Sequence, residues 1–369
     1  MSSPLRTAPL AWVLAAAASL VAACGGGGYG ASAPETPGAD SRYAATPIVS
    51  DQPGALQLDT HLSDSSGLAI GGGSALWLTN RASASSTLFN MGDLSQPALA
   101  VAAPGRGAGA RATGVAFNPA NGFAVTTEEG RTGVARFIVA GEDGTLSGWA
   151  PSLGLERAVV AFDAGATGAV YTGLAMTPQG VDSVLLAADF GNAVVETFGA
   201  DFIKQPRGDR FADPALPPGY APFGIAAHGD LIYVSYGKPD ASARAPQHGA
   251  GVGLVNVFDR GGRLLRRLIP AGAGLNAPWS TAIAPADFGA FGGALLVANA
   301  GDGTIAAFDA ITGRPLGLMT QANGSALVIE GLHGIAFGSG ALGQPARTLF
   351  FTAGPQDGRH GLLGRIDLQ

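Results

Sequence analysis

The sequence predicts an all-β chain folded as a six-bladed β-propeller, and three observations carry that prediction. The first is composition. Among 369 residues there are 58 glycines and 24 prolines, while only 13% are charged and 47% are hydrophobic. Such a chain turns often and has a core to bury, but helices tolerate that much glycine and proline poorly. The second is an apolar phrase with glycine near its start, written six times: SSGLAI (65–70), ATGVAF (112–117), YTGLAM (171–176), PFGIAA (222–227), PWSTAIA (278–284) and LHGIAF (332–337). Gly67, Gly114, Gly173, Gly224, Ser280 and Gly334 occupy matching places, at intervals of 47, 59, 51, 56 and 54 residues. The third is a hairpin pattern after each phrase, as in ARFIVAGEDGTLSGW and ALLVANAGDGTIAAFD. A repeat of that length holds four short strands, and six of them form a ring with only short, protected edges. A sandwich or two separate domains are the alternatives.

The elements follow in chain order. Arg6, the apolar run at 8–21 and the small residues after it read as a secretory signal. The boundary Val21-Ala22-Ala23-Cys24 resembles the bacterial lipobox, so residues 1–23 are expected to be a lipoprotein signal peptide and Cys24, the only cysteine, the lipidated terminus. An ordinary cleavage site beside an accidental cysteine is the other reading. Lipidation would make a membrane the anchor and the cell envelope the location, and Gly25 leans toward the outer membrane in a two-membrane host. Residues 24–45, rich in Gly, Pro and Ala, read as a flexible tether. The propeller takes 46–369.

Within it, outer strands are expected at 97–103, 158–163, 263–269 and near 327, with a weaker pattern at 200–220. The turns Asp143-Gly144, Asp302-Gly303 and Asp357-Gly358 suit hairpins, since such pairs tolerate positive φ. The sixth unit reaches Gln369 after its third strand, so the segment around Ile48 and Val49 is expected to pair with Leu362–Ile366 and close the ring.

A net charge of −6, with no basic cluster beyond Arg263, Arg266 and Arg267, gives no footprint for nucleic acid. No cofactor is expected: the glycine-rich segments precede strands, not helices, and no phosphate-loop or dinucleotide fingerprint occurs. The five histidines lack zinc spacing, and Asn299 to Gly303 lacks the acidic ladder of a calcium loop, so no metal is assigned. There is no G-x-S-x-G elbow, and a triad of Ser66 or Ser280 with His333 and Asp189 is conceivable only across blades.

In a propeller the loops leading into the innermost strands and the turns of the middle hairpins share one end of the ring. That gathers Phe223, Trp279, His333, Asp189, Asn299 and Tyr236 as candidate ligand-binding residues around one channel mouth. Each has a structural reading as well: Trp279 and Phe223 as plugs between blades, His333 as a bonded channel residue, Asp189 and Asn299 as turn caps. Asn299 is preferred to Asp302 for ligand contact, because Asp302 is first of all part of a turn.

The succession EDGTLSGW (142–149), AADFGN (187–192), FADPALPPGYAPFGI (211–225), LNAPWS (275–280) and GLHGIAFG (331–338) resembles a family of exported bacterial propellers of the NHL-like kind. That resemblance covers nearly everything after residue 46 and implies a six-bladed ring without an established activity. Where the family reads Trp-Gly this chain has Trp279-Ser280, and where it reads Trp this chain has His333. More distantly, the blades are similar to gluconolactonase-type hydrolases, whose central calcium would find analogues only in Asp189 and Asn299. The expected function is therefore a binding or scaffold module for a small molecule, glycan or protein, with a calcium-dependent lactonase-like hydrolase as the alternative.

Overall fold

The computed structural model describes residues 41–71, 75–94, 99–105, 110–177 and 183–369. Cys24, the signal peptide and the tether as far as residue 40 lie outside the described residues. Six antiparallel blades follow one another around a channel, and the innermost strand of each touches that of the next, the last returning to the first. The six glycine phrases are those innermost strands: Ser65–Ile70, Ala112–Phe117, Tyr171–Met176, Ala221–His228, Pro278–Ile283 and Leu332–Phe337.

The ring closes as the sequence predicts. Tyr43–Ser50 runs antiparallel to Leu362–Leu368, pairing Tyr43 with Leu368 and Val49 with Leu363. A bulge falls between Pro47 and Val49, where proline supplies no ladder donor. The strand begins at Tyr43, inside the span read as tether. The outer strand of the fifth blade is Pro315–Leu318, not the segment near 327. That apolar stretch instead buries Leu327 and Ile329 beneath the blade, with the Leu327 amide bonded to Met319 O at 2.8 Å. Two other features departed from the repeat. The third blade has three strands, and a small hairpin, Ala124–Thr126 with Thr132–Val134, extends the second.

Apolar side chains fill the gap between each pair of neighbouring blades rather than one central core. Between the first and second, Trp77 stacks on Phe137 with ring centroids 4.2 Å apart, and Trp149 leans on both. Facing the channel there is little room. A β-carbon on Gly224 would lie 1.6 Å from Trp279 O, and one on Gly67 2.3 Å from Thr113 O. The repeated glycine therefore lets adjacent blades approach backbone to backbone. In the fifth blade Ser280 takes that place, and its hydroxyl donates to Ile335 O at 3.3 Å while accepting from Ile335 N at 3.2 Å.

A circuit of hydroxyls reinforces this contact. Thr79 donates to Thr113 O (2.5 Å), Thr113 to Tyr171 O (2.7 Å), Thr172 to Phe223 O (2.7 Å) and Ser235 to Trp279 O (2.9 Å). Ser280 continues to Ile335, and Thr352 donates to Ser66 O, completing the ring. Each bond joins one blade to the next and satisfies a buried carbonyl. Replacing Thr172 by the isosteric Val is expected to cost about 1–3 kcal/mol, the penalty for an unsatisfied buried acceptor. Chemical denaturation measures it, and an unchanged midpoint would contradict the structural role assigned to this circuit.

Candidate functional site

One end of the channel opens into a cavity of about 570 Å³. Its floor is apolar. Phe190, Ala221, Phe223 and Trp279 form a buried cluster, Phe223 lies 4.9 Å from Phe190 between ring centroids, and the Trp279 indole N–H donates to Thr172 O at 3.0 Å. The inner-strand backbone thus fixes the Trp279 ring, and His333 packs edge-on against it at 5.3 Å.

The wall on the side of the first two blades is an ion-pair network. Asp64, buried at positive φ on the lead-in to the first blade, accepts from Arg111 (2.9 Å) and stands 3.3 Å from Arg81. Glu142, also buried, in the hairpin turn of the second blade, takes Arg81 at 2.7 Å and Arg111 at 3.3 Å. Two carboxylates and two guanidiniums neutralise one another, which permits the burial of Asp64 and Glu142 beneath the more exposed arginines. Arg244 reaches in from the long loop after Leu231–Gly237. Its Nη1 donates to Glu142 O at 3.1 Å, so a residue of the fourth blade's loop touches the second blade across the mouth. Asp302, Glu330 and Asp357, on the fifth and sixth blades, line the same cavity, and the Asp357 turn adjoins Asp64.

Burial, and then the positive charge of Arg81, push the His333 imidazole pKa down to about 3. It is therefore neutral at physiological pH, and its buried Nδ1 has no hydrogen-bond partner among the described residues. His228, on the fourth inner strand, is pushed down to about 4 by burial. Both side chains take up protons in the unfolded chain below about pH 6.5 and not in the folded one, so stability is full above that pH and declines as pH falls toward 4. His333→Gln is expected to narrow the fall in melting temperature between pH 7 and pH 4.5 by about 3 °C. An unchanged fall would mean that His333 carries no such penalty.

Of the sequence-derived candidates, Phe223, Trp279 and His333 line the cavity, whereas Asp189, Asn299 and Tyr236 do not. Asp189 spends Oδ1 on the amides of Val170 and Asn192, and Oδ2 on the Asn192 side chain. Asn299 accepts from Asn276 N at 3.1 Å and donates to Thr304 Oγ1 at 3.1 Å, fully buried. Asp302, by contrast with Asn299, lines the cavity, holding Asn276 Nδ2 with one oxygen and Thr304 with the other. Tyr236 is buried between blades. Calcium, implied by the distant gluconolactonase resemblance, does not fit these residues, because the oxygens of Asp189 and Asn299 are already committed to their own turns. Among the described residues no group of three or more His, Cys, Asp or Glu is placed to hold a metal ion. Ser66 and Ser280 bond to neighbouring blades, so no triad forms with His333 and Asp189.

Sequence reasoning missed Asp64, Arg81, Arg111 and Arg244. Glu142 and the arginines are ordinary turn and loop residues in the sequence, and only the closing of the ring brings them together.

No known family profile matches the chain. An uncharacterized protein of Acanthamoeba polyphaga mimivirus is 32% identical over 264 residues, covering 69% of this chain and 62% of its own length. A second from the same virus is 30% identical over 264 residues, covering 69% of this chain and 67% of its own length. The chain thus spans less than two thirds of the first relative. Both relatives are viral, and the bacterial affiliation expected from sequence finds no support in them. Among solved structures, a protein of unknown function from Bacteroides thetaiotaomicron superposes with a TM-score of 0.51 at 11% identity, over 84% of this chain and 70% of its own. That likeness concerns the fold.

Proposed function

This chain belongs to the same family as the mimivirus protein of which it spans 67%, and we propose that it is a propeller-borne binding module whose ligand, a small molecule, occupies the cavity over Trp279 and Phe223. The observation that carries this reading is the cavity itself. At about 570 Å³ it has the size of a small-molecule site, with an apolar floor and a few convergent polar groups. Catalysis is not part of the proposal. His333 is too weak a base near neutrality to remove a proton efficiently.

The test is a ligand-observed fragment screen, followed by mapping of the indole N–H resonances. Fragments that bind should move the Trp279 signal, compete with one another, and lose affinity roughly tenfold in Trp279→Ala. If the binders move only Trp77 and Trp149, or keep their affinity in that variant, the cavity is not the site.

The same proposal places the module on a membrane through lipidated Cys24 of the cell envelope, resting on the sequence pattern alone. A Cys24→Ser variant is expected to leave the membrane fraction on cell fractionation, and one that stays as membrane-bound as the parent would end that part of the reading.

A further inference from the structure

The charges around the mouth do not sum evenly. Asp64 and Glu142 are matched by Arg81 and Arg111. Removing those four leaves one cation, Arg244, and three acids, Asp302, Glu330 and Asp357, all lining the same cavity. Arg244 is exposed and has no carboxylate partner among the described residues; its one side-chain bond is to a backbone carbonyl. The three acids are exposed as well. Glu330 accepts the Gln356 amide through Oε1 at 2.9 Å, leaving its second oxygen, and no hydrogen bond of the Asp357 carboxylate is formed among the described residues.

The placement of both ends is built in by the backbone. Asp357 follows Gln356 in a turn where both hold positive φ, at 57° and 54°, before Gly358 at 75°. Non-glycine residues hold such a conformation only where the surroundings enforce it, and here the turn packs against Asp64. Arg244 is held across the ring by a closed loop, in which Asp240 N bonds to Ala245 O (2.8 Å) and Gln247 N to Lys238 O (2.7 Å). Phe223 and Trp279 line the same cavity, as does His333, whose Nδ1 has no hydrogen-bond partner among the described residues.

We infer that the cavity selects a small dipolar molecule, one bearing both an ammonium and a carboxylate, with its cationic end toward Glu330, Asp357 and Asp302, its anionic end toward Arg244, and its apolar body over Trp279 and Phe223. This rests on the cavity being a ligand site. The three-to-one imbalance asks for a cationic end, so a simple organic acid is disfavoured; the lone guanidinium asks for an anionic end, so a simple amine leaves it unused. Because these charges are exposed to water, each charged contact contributes modestly, and discrimination rather than high affinity is the expected signature.

Three probes with one six-carbon body separate the terms: 6-aminohexanoate, hexylamine and hexanoate, titrated calorimetrically into the full chain at pH 7 and low salt. 6-Aminohexanoate is expected to bind about fivefold more tightly than either singly charged probe, an advantage that shrinks in 0.3 M salt. Arg244→Met should abolish the advantage over hexylamine alone, Arg244→Lys should restore most of it, and Glu330→Gln with Asp357→Asn should abolish the advantage over hexanoate alone. Melting curves of each variant verify that it folds. Equal binding of 6-aminohexanoate and hexylamine, or of all three probes, overturns the inference, and so does binding by none. The fragment screen decides the ligand-site reading separately: fragments that move the Trp279 signal while these probes fail leave the site standing and remove only its dipolar selectivity.

Discussion

Deletion of Tyr43–Ser50 is expected to lower the melting temperature by on the order of 10 °C or more, or to prevent folding altogether. The strand buries Tyr43, Ile48 and Val49 almost completely, Tyr43 stacking with Phe291 and donating its hydroxyl proton to Phe288 O. Large apolar side chains contribute roughly 1.5–3 kcal/mol each on burial, and the whole fold is stabilised by only about 5–15 kcal/mol. The antiparallel ladder to Leu362–Leu368 would be lost as well, exposing an unpaired strand edge. Circular dichroism through a thermal melt, with light scattering, measures the outcome. A deletion mutant melting within a few degrees of the parent would show that the sixth blade holds without its borrowed strand.

Gly224→Ala is expected to cost about 3 kcal/mol, at the upper end of the overpacking range. The added carbon would lie 1.6 Å from Trp279 O, a backbone atom that cannot swing aside, and 2.7 Å from Ser235 Oγ, which spans the same blade junction. Gly173→Ala, in the matching place of the third blade, meets Ile225 N at 3.2 Å and is expected to cost less than half as much. Denaturant midpoints for the pair measure the difference. Equal costs would mean that the blades move apart readily, and that the glycines mark the repeat without setting the spacing between blades.

The repeat was legible because it is written in local terms. Gly67, Gly114, Gly173, Gly224 and Gly334 recur where inner strands meet, and Asp-Gly turns bend three of the six hairpins; Gly144, Gly303 and Gly358 all hold positive φ. The outer strand of the fifth blade was misplaced for an equally local reason. LVIE at 327–330 is as apolar as a strand, but its Leu327 and Ile329 side chains pack into the junction with the sixth blade, while Pro315–Leu318, largely exposed and proline-led, makes the ladder.

The candidate site divides in the same way. Phe223, Trp279 and His333 could be placed at the mouth because each sits at a fixed step from a repeat glycine. Asp189 and Asn299 hold equally regular places at strand ends, yet their side chains turn back to cap their own hairpins, a choice made by the nearest unsatisfied amide. Arg81, Arg111 and Arg244 lie outside the repeat, 163 positions separating the first from the last. The sequence by itself determined the number of blades, their inner strands and the strand that closes the ring, since periodic burial and turn chemistry act between residues close in the chain. Only the tertiary structure decided which charges meet at the mouth, because closing the ring sets distances between loops that share no local signal.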